Sequence, residues 1–107
     1  MPLTTVSEAS FAADVLASPR PVLVDFSAPW CPPCQTIAPV LEQIAADETR
    51  RLRVVTVDVD ENPVVADLYQ VSRMPTLVLF RGGQEVARVQ GVRPRELILE
   101  ELAPHLG

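Results

Sequence analysis

The chain of 107 residues has no lysine, a single histidine, a single tryptophan and only two cysteines. Each shortage closes a possibility. All nine basic residues are arginine, and fourteen acidic residues outnumber them, giving a formal charge of -5. Nucleic acid and anionic membranes both call for a basic footprint, which this balance does not supply. His105 with Cys31 and Cys34 falls short of the ligand set of a protein-only zinc site, so no metal is expected. Long hydrophobic runs are also missing. Pro, Gly and Asp break the apolar stretches well before the roughly 18 residues needed to cross a bilayer, so a soluble protein is expected. The opening Met1-Pro2-Leu3-Thr4-Thr5-Val6-Ser7-Glu8 carries no basic stretch leading into an apolar core, as a secretory signal would. A cytoplasmic location is the expectation.

With 48% of its residues hydrophobic, a chain of this length can bury one core, so one domain spanning 1–107 is expected. Phe11, Val15 and Leu16 recur at helical spacing behind Ser7, which reads as the N-cap of a first helix over 7–16. Val22 to Ser27 is a β-rich run without clean polar alternation, the pattern of a central strand covered on both faces. Its one acid is Asp25. Ile37, Val40, Leu41 and Ile44 then mark one face of a helix from about Cys34 to Asp47, with a kink expected at Pro39. Leu52 to Val59 reads as a second buried strand, and Asn62-Pro63 as the N-cap and first position of a short helix, Val64 to Tyr69. Thr76–Phe80 and Glu85–Val89 flank Gly82-Gly83 as a hairpin with a primed turn. The last helix, Pro94 to Leu102, turns Ile98, Leu99 and Leu102 inward. This order predicts an α/β fold: a mixed central sheet, with parallel strands plus an antiparallel C-terminal hairpin, flanked by helices on both faces.

The two cysteines carry the chemistry. A disulfide closing a loop of about four residues stabilises by only roughly 2 kcal/mol, against about 3 for a fifteen-residue loop, so a structural staple is a poor use of this pair. Cys31-Pro32-Pro33-Cys34 instead sits where a strand gives way to a helix. The helix N-terminus, with unpaired N–H groups and partial positive charge, favours thiolate over thiol at Cys31. Pro32 and Pro33 suit this linker because neither carries an N–H that the helix start would have to satisfy. Lowering a thiol pKa from about 8.5 to about 7 raises the thiolate fraction at neutral pH about sixteenfold and costs about fivefold in intrinsic nucleophilicity. The net gain of about threefold is modest. The larger advantage is that Cys34, one turn away, is held ready to attack a mixed disulfide. Cys31 is therefore read as the nucleophile and Cys34 as the resolving thiol. Asp25, inside an apolar strand that ends just before them, is a candidate proton acceptor whose pKa burial would raise. Met74-Pro75 precedes a strand, where a trans bond is the ordinary form. A cis bond there would free the backbone of Met74 to pair with an extended substrate.

Taken together, Val22-Leu23-Val24-Asp25-Phe26, Trp30-Cys31-Pro32-Pro33-Cys34, Ile37-Ala38-Pro39, Val57 to Pro63, Met74-Pro75-Thr76-Leu77 and Gly91 resemble the thioredoxin family in order and spacing. The resemblance implies the thioredoxin fold, reduction of protein disulfides through a reversible Cys31–Cys34 couple, and a cis Pro75 beside it. It implies that Trp30, Met74, Pro75 and Gly91 shape the surface on which a protein disulfide docks. It also implies a flavin- and NADPH-dependent thioredoxin reductase as electron donor to a monomer with no cofactor of its own. Four positions depart from the family. Pro32 stands where Gly is usual, Ser27 where a second Trp is common, and Thr56 where a Lys near the buried acid is common. Arg73 replaces a small residue before Met74-Pro75, and would stabilise the Cys31 thiolate, select acidic substrates or simply stay solvated. An exported or dedicated exchange protein, and a binding module such as an iron–sulfur-bridged dimer, are the alternative readings.

Overall fold

The structure, a computed structural model, describes residues 3–106. Residues 1, 2 and 107, the ends of the expected domain, lie outside the described residues. Five strands form one sheet in the order β1-β3-β2-β4-β5: β1 Thr4–Thr5, β2 Val22–Ser27, β3 Arg53–Asp58, β4 Thr76–Arg81 and β5 Gln84–Gln90. β3 pairs in parallel with β1 and β2, whereas β4 pairs antiparallel with β2 and β5. The mixed sheet is thus the expected one, with the hairpin on one side. Gly82 and Gly83 form its turn at φ 59° and 81°, the left-handed values that a primed turn demands.

Helices α1 Pro32–Asp47 and α3 Arg95–Leu102 cover one face; α2 Pro63–Leu68 and a short π-helical segment, Ala12–Leu16, cover the other. The period of two along β2 divides its side chains between these layers. Leu23 joins Ile37, Leu41, Ile44, Leu77, Leu79, Ile98 and Leu102, while Val22, Val24 and Phe26 join Phe11, Val15, Val55, Val57, Val78 and Phe80. Asp25 and Ser27 therefore belong to the face that α1 covers. α1 starts two residues earlier than the apolar pattern indicated, because Pro32 and Pro33 supply its first turn, and it runs unbroken through Pro39.

Two local readings are corrected and a third element, strand β1, was not foreseen. No helix starts at Ser7: its N–H donates to Ser10 Oγ and its carbonyl accepts from the Ser10 N–H, so the two serines close a turn on each other and helical structure begins at Phe11. Asn62 does precede α2, yet its side chain caps nothing. Its Nδ2 donates to the Asp58 carbonyl and its Oδ1 accepts from the Glu8 N–H, while Glu8 Oε2 takes the free N–H of Val65 at 3.0 Å. The cap of α2 comes from the other end of the domain. Strand β1 carries no apolar signal and is held at the sheet edge by pairing Thr4 with Val55 and Thr5 with Thr56.

Glu8→Ala should therefore destabilise the fold by about 1 kcal/mol, the usual worth of a helix cap, although Glu8 is exposed and far from α2 in sequence. Urea denaturation checks this, and an unchanged midpoint would show that water replaces the cap at no cost.

Candidate active site at the end of strand β2

β2 ends at Ser27, and the turn Ala28-Pro29-Trp30 delivers the chain to the start of α1. Cys31 occupies the N-cap position, with extended backbone at φ -96° and ψ 107°. Pro32 and Pro33 fill the first two helical positions, so the first backbone N–H that the helix can offer belongs to Cys34. It donates to Cys31 Sγ at 3.3 Å, and the next, that of Gln35, donates to the Cys31 carbonyl. The two prolines thus leave one N–H aimed at one sulfur. Cys31 and Cys34 are joined as a disulfide, with Cα atoms 5.3 Å apart, and both are buried.

Cys31 Sγ lies 3.8 Å from the carbonyl oxygen of Met74, and the Met74-Pro75 peptide bond is cis, as the resemblance implied and the ordinary preference did not. The segment is tied down on both sides: Gly91 N–H donates to the Pro75 carbonyl at 2.8 Å and Thr76 Oγ1 to that of Arg73 at 2.5 Å. Gly91 has φ 78°, where a Cβ would also meet the Arg93 guanidinium, so a side chain there would disturb this junction. Arg73 is exposed, and Trp30, 62% exposed, stands beside the disulfide with its indole N–H donating to Asp60 at 2.5 Å. Sequence reasoning missed Asp60, because nothing in a turn-forming Asp60-Glu61 pair signals an indole thirty positions earlier.

Asp25 is 4% exposed. Its Oδ2 accepts from Thr56 Oγ1 at 3.4 Å, and its Oδ1 has no hydrogen-bond partner among the described residues. Burial pushes its carboxyl up from 3.8 to about 6, against the opposing pull of the Thr56 hydroxyl. Asp25 and Cys34 line a common pocket of about 420 Å³, together with Ser27 and Thr56. Among the described residues, no cluster of three or more His, Cys, Asp or Glu side chains is placed to hold a metal ion. The structure thus brings Cys31, Cys34, Met74, Pro75 and Gly91 together, sets Trp30 and Arg73 next to these in the chain, and leaves Asp25 in the pocket that Cys34 lines. The arrangement suits two-electron exchange at sulfur with a basic carboxyl close by.

The protein-family model described as Thioredoxin matches residues 2–103. The chain belongs to the thioredoxin family. It is 51% identical over 98 residues to thioredoxin of Mycobacterium tuberculosis, covering 92% of this chain and 84% of that one. It is 46% identical over 101 residues to thioredoxin 1 of Nostoc, covering 94% of each. A third relative, the bifunctional thioredoxin reductase/thioredoxin of Mycobacterium leprae, is 50% identical over 98 residues; the match covers 92% of this chain but spans only 21% of that protein. With the disulfide-bonded pair, these likenesses establish a thiol-disulfide oxidoreductase of the protein-disulfide class.

The raised pKa of Asp25 has a consequence for stability. Its carboxyl binds a proton more readily in the folded chain than in the unfolded one between pH 3.8 and about 6. Stability therefore falls as pH rises through that window, and above it the buried charge costs on the order of 3 kcal/mol. Asp25→Asn should stabilise the oxidised protein by up to about that amount at pH 7.5, and the gain should vanish below pH 4. Urea unfolding at the two pH values measures it; an equal effect at both would mean that the charge is not the cause.

Proposed function

We propose that the chain reduces disulfides in other proteins, with Cys31 as the attacking thiolate, Cys34 as the resolving thiol and Asp25 as the proton acceptor. The observation that carries this reading is the Cys34 N–H donated to Cys31 Sγ at 3.3 Å. A donor at a helix N-terminus stabilises negative charge on that sulfur and not on the one behind it. Cys31 thiolate attacks a substrate disulfide, forming a mixed disulfide and releasing the first substrate thiolate. Asp25 takes the proton of Cys34, whose sulfur then attacks Cys31 and releases the second. Two electrons pass to the substrate, and the Cys31–Cys34 disulfide remains.

Trp30, Arg73, Met74, Pro75 and Gly91 form the docking surface in this reading. The half-buried Met74 beside Cys31 supports it, as does the exposed indole of Trp30. An extended substrate segment would pair with the backbone at Met74. Electrons to regenerate the dithiol come from a thioredoxin reductase carrying FAD and using NADPH. The naming of the Mycobacterium leprae relative, which joins a thioredoxin reductase to a thioredoxin, supports such a partner. We assign the chain a cytoplasmic setting and a monomeric, single-domain form. Among the described residues no helix is long and apolar enough to cross a membrane.

Turnover of insulin with thioredoxin reductase and NADPH tests the roles. Cys31→Ser should abolish reduction. Cys34→Ser should accumulate a mixed disulfide that mass spectrometry detects. Equal residual activity in the two variants would overturn the assignment.

A further inference from the structure

Asp25 faces a chemically one-sided environment. Across the sheet it is paired with Thr56 of β3 and Leu77 of β4, and on the α1 side it shares its pocket with Cys34 and Glu42. Of the described residues that line the pocket, Asp25, Glu42 and Asp58 carry charge, all of it negative, and none is arginine. Among the described residues that line the pocket, none carries an opposite charge to offset the desolvation of Asp25. Among the described residues, the hydrogen-bond donor that its carboxylate meets is the Thr56 hydroxyl. Thr56 Oγ1 lies 3.4 Å from Asp25 Oδ2, 3.2 Å from the Asp25 carbonyl oxygen and 3.3 Å from Ser27 Oγ.

That hydroxyl has one proton and three oxygen neighbours, so it must choose. A bond to an ionised acceptor is about twice as strong as one to a neutral acceptor. When Asp25 is ionised, the Thr56 proton goes to Oδ2, and Ser27 can donate in turn to Thr56 Oγ1. When Asp25 is protonated, the carbonyl oxygen becomes the better acceptor. Oδ1, buried and without a partner among the described residues, is the carboxylate oxygen left with its capacity unused.

We propose that Thr56 is a positioning residue for the resolving step: its hydroxyl, supported by Ser27, holds Asp25 through Oδ2 and leaves Oδ1 to receive the proton of Cys34. The inference rests on the reading of Asp25 as proton acceptor. In the step, the Cys34 S–H bond breaks and an Oδ1–H bond forms. The freed electron pair on Cys34 makes the Cys31–Cys34 bond as the bond from Cys31 to substrate breaks, and the substrate thiolate takes its proton from water.

Two measurements test this. In the oxidised protein the cysteines do not titrate, so a carbon-13 NMR titration of the labelled aspartate carboxyls isolates Asp25 from them, and Asp25→Asn identifies its signal. Thr56→Val keeps the shape and removes the donor; it should raise the Asp25 midpoint by about one pH unit. Thr56→Ser should restore it to within about 0.3 units, and Ser27→Ala should shift it in the same direction as Thr56→Val by less. In stopped-flow decay of the mixed disulfide, Thr56→Val should then slow the resolving step at both pH 6 and pH 8.5, and about fivefold more at pH 6. A Thr56→Val midpoint coincident with the parent's, or a shifted midpoint with an unshifted rate profile, overturns the role of Thr56. If Thr56→Val does not fold, Ser27→Ala decides by the same criteria. A decay whose pH dependence survives in Asp25→Asn overturns the proton-acceptor reading itself, an outcome distinct from the other two.

Discussion

Strand β2 is covered on both faces, and the placement of the site follows from that constraint. Val22, Leu23, Val24 and Phe26 have no measurable exposure, so the strand cannot slide by one residue without exchanging its two sets of side chains between the layers. Its register is therefore fixed, and with it the face on which Asp25 lies. The same register sets where the strand stops, and the parallel pairing with β3 requires a crossover helix, α1, to begin almost at once. The N-terminus of α1 thus falls at the end of the strand on the face that Asp25 shares. A dithiol placed in this turn meets a helix N-terminus on one side and a buried carboxyl on the other. Neither feature has to be built separately.

The linker sharpens one of these two influences. A helix start ordinarily offers several free N–H groups, which spread their partial charge over whatever lies in front of them. Two prolines in succession remove the first two donors. The Cys34 N–H, the first remaining, is spent on Cys31 Sγ, and the Gln35 N–H on the Cys31 carbonyl. The electrostatic benefit is thereby concentrated on one sulfur, which separates the two cysteines chemically although they lie a single turn apart. The Met74 carbonyl oxygen, just before the cis Pro75, lies 3.8 Å from the same sulfur. Cys31 is thus framed by a donor and an acceptor, and Cys34 lies toward the pocket that holds Asp25.

Much of this was legible in the sequence, and the parts that were not share a cause. The hairpin could be read because Gly82-Gly83 is a local solution to a local problem, and α1 because Ile37, Leu41 and Ile44 repeat at its period. The cysteines, Asp25 and Met74-Pro75 stood out because each breaks the pattern around it. Glu8 gave no such sign. It caps α2 from 57 positions away, and no spacing rule connects a residue near one end of the chain to the Val65 N–H. Ser7 misled because a serine before an apolar repeat caps a helix only if no nearer partner exists, and Ser10 is nearer. The extent of the pocket beside Asp25 was hardest to foresee, because β1, β2, β3 and α1 line it together.

That pocket bears on how a carboxyl can serve as a base for a thiol. An ammonium held about 4–6 Å from Asp25 would lower its pKa by about 1–3 units and return it toward an ordinary carboxylate, fully ionised but a weak base. Complete burial without any donor would push the pKa the other way, until the group was mostly protonated at neutral pH and unable to accept anything. With burial opposed only by a neutral hydroxyl, Asp25 rests at about 6. It is then roughly nine-tenths ionised at pH 7 and on the order of 100-fold more basic than a free aspartate. Both conditions are needed at once. They hold together because the residue facing Asp25 across the β2–β3 pair carries a hydroxyl and no charge.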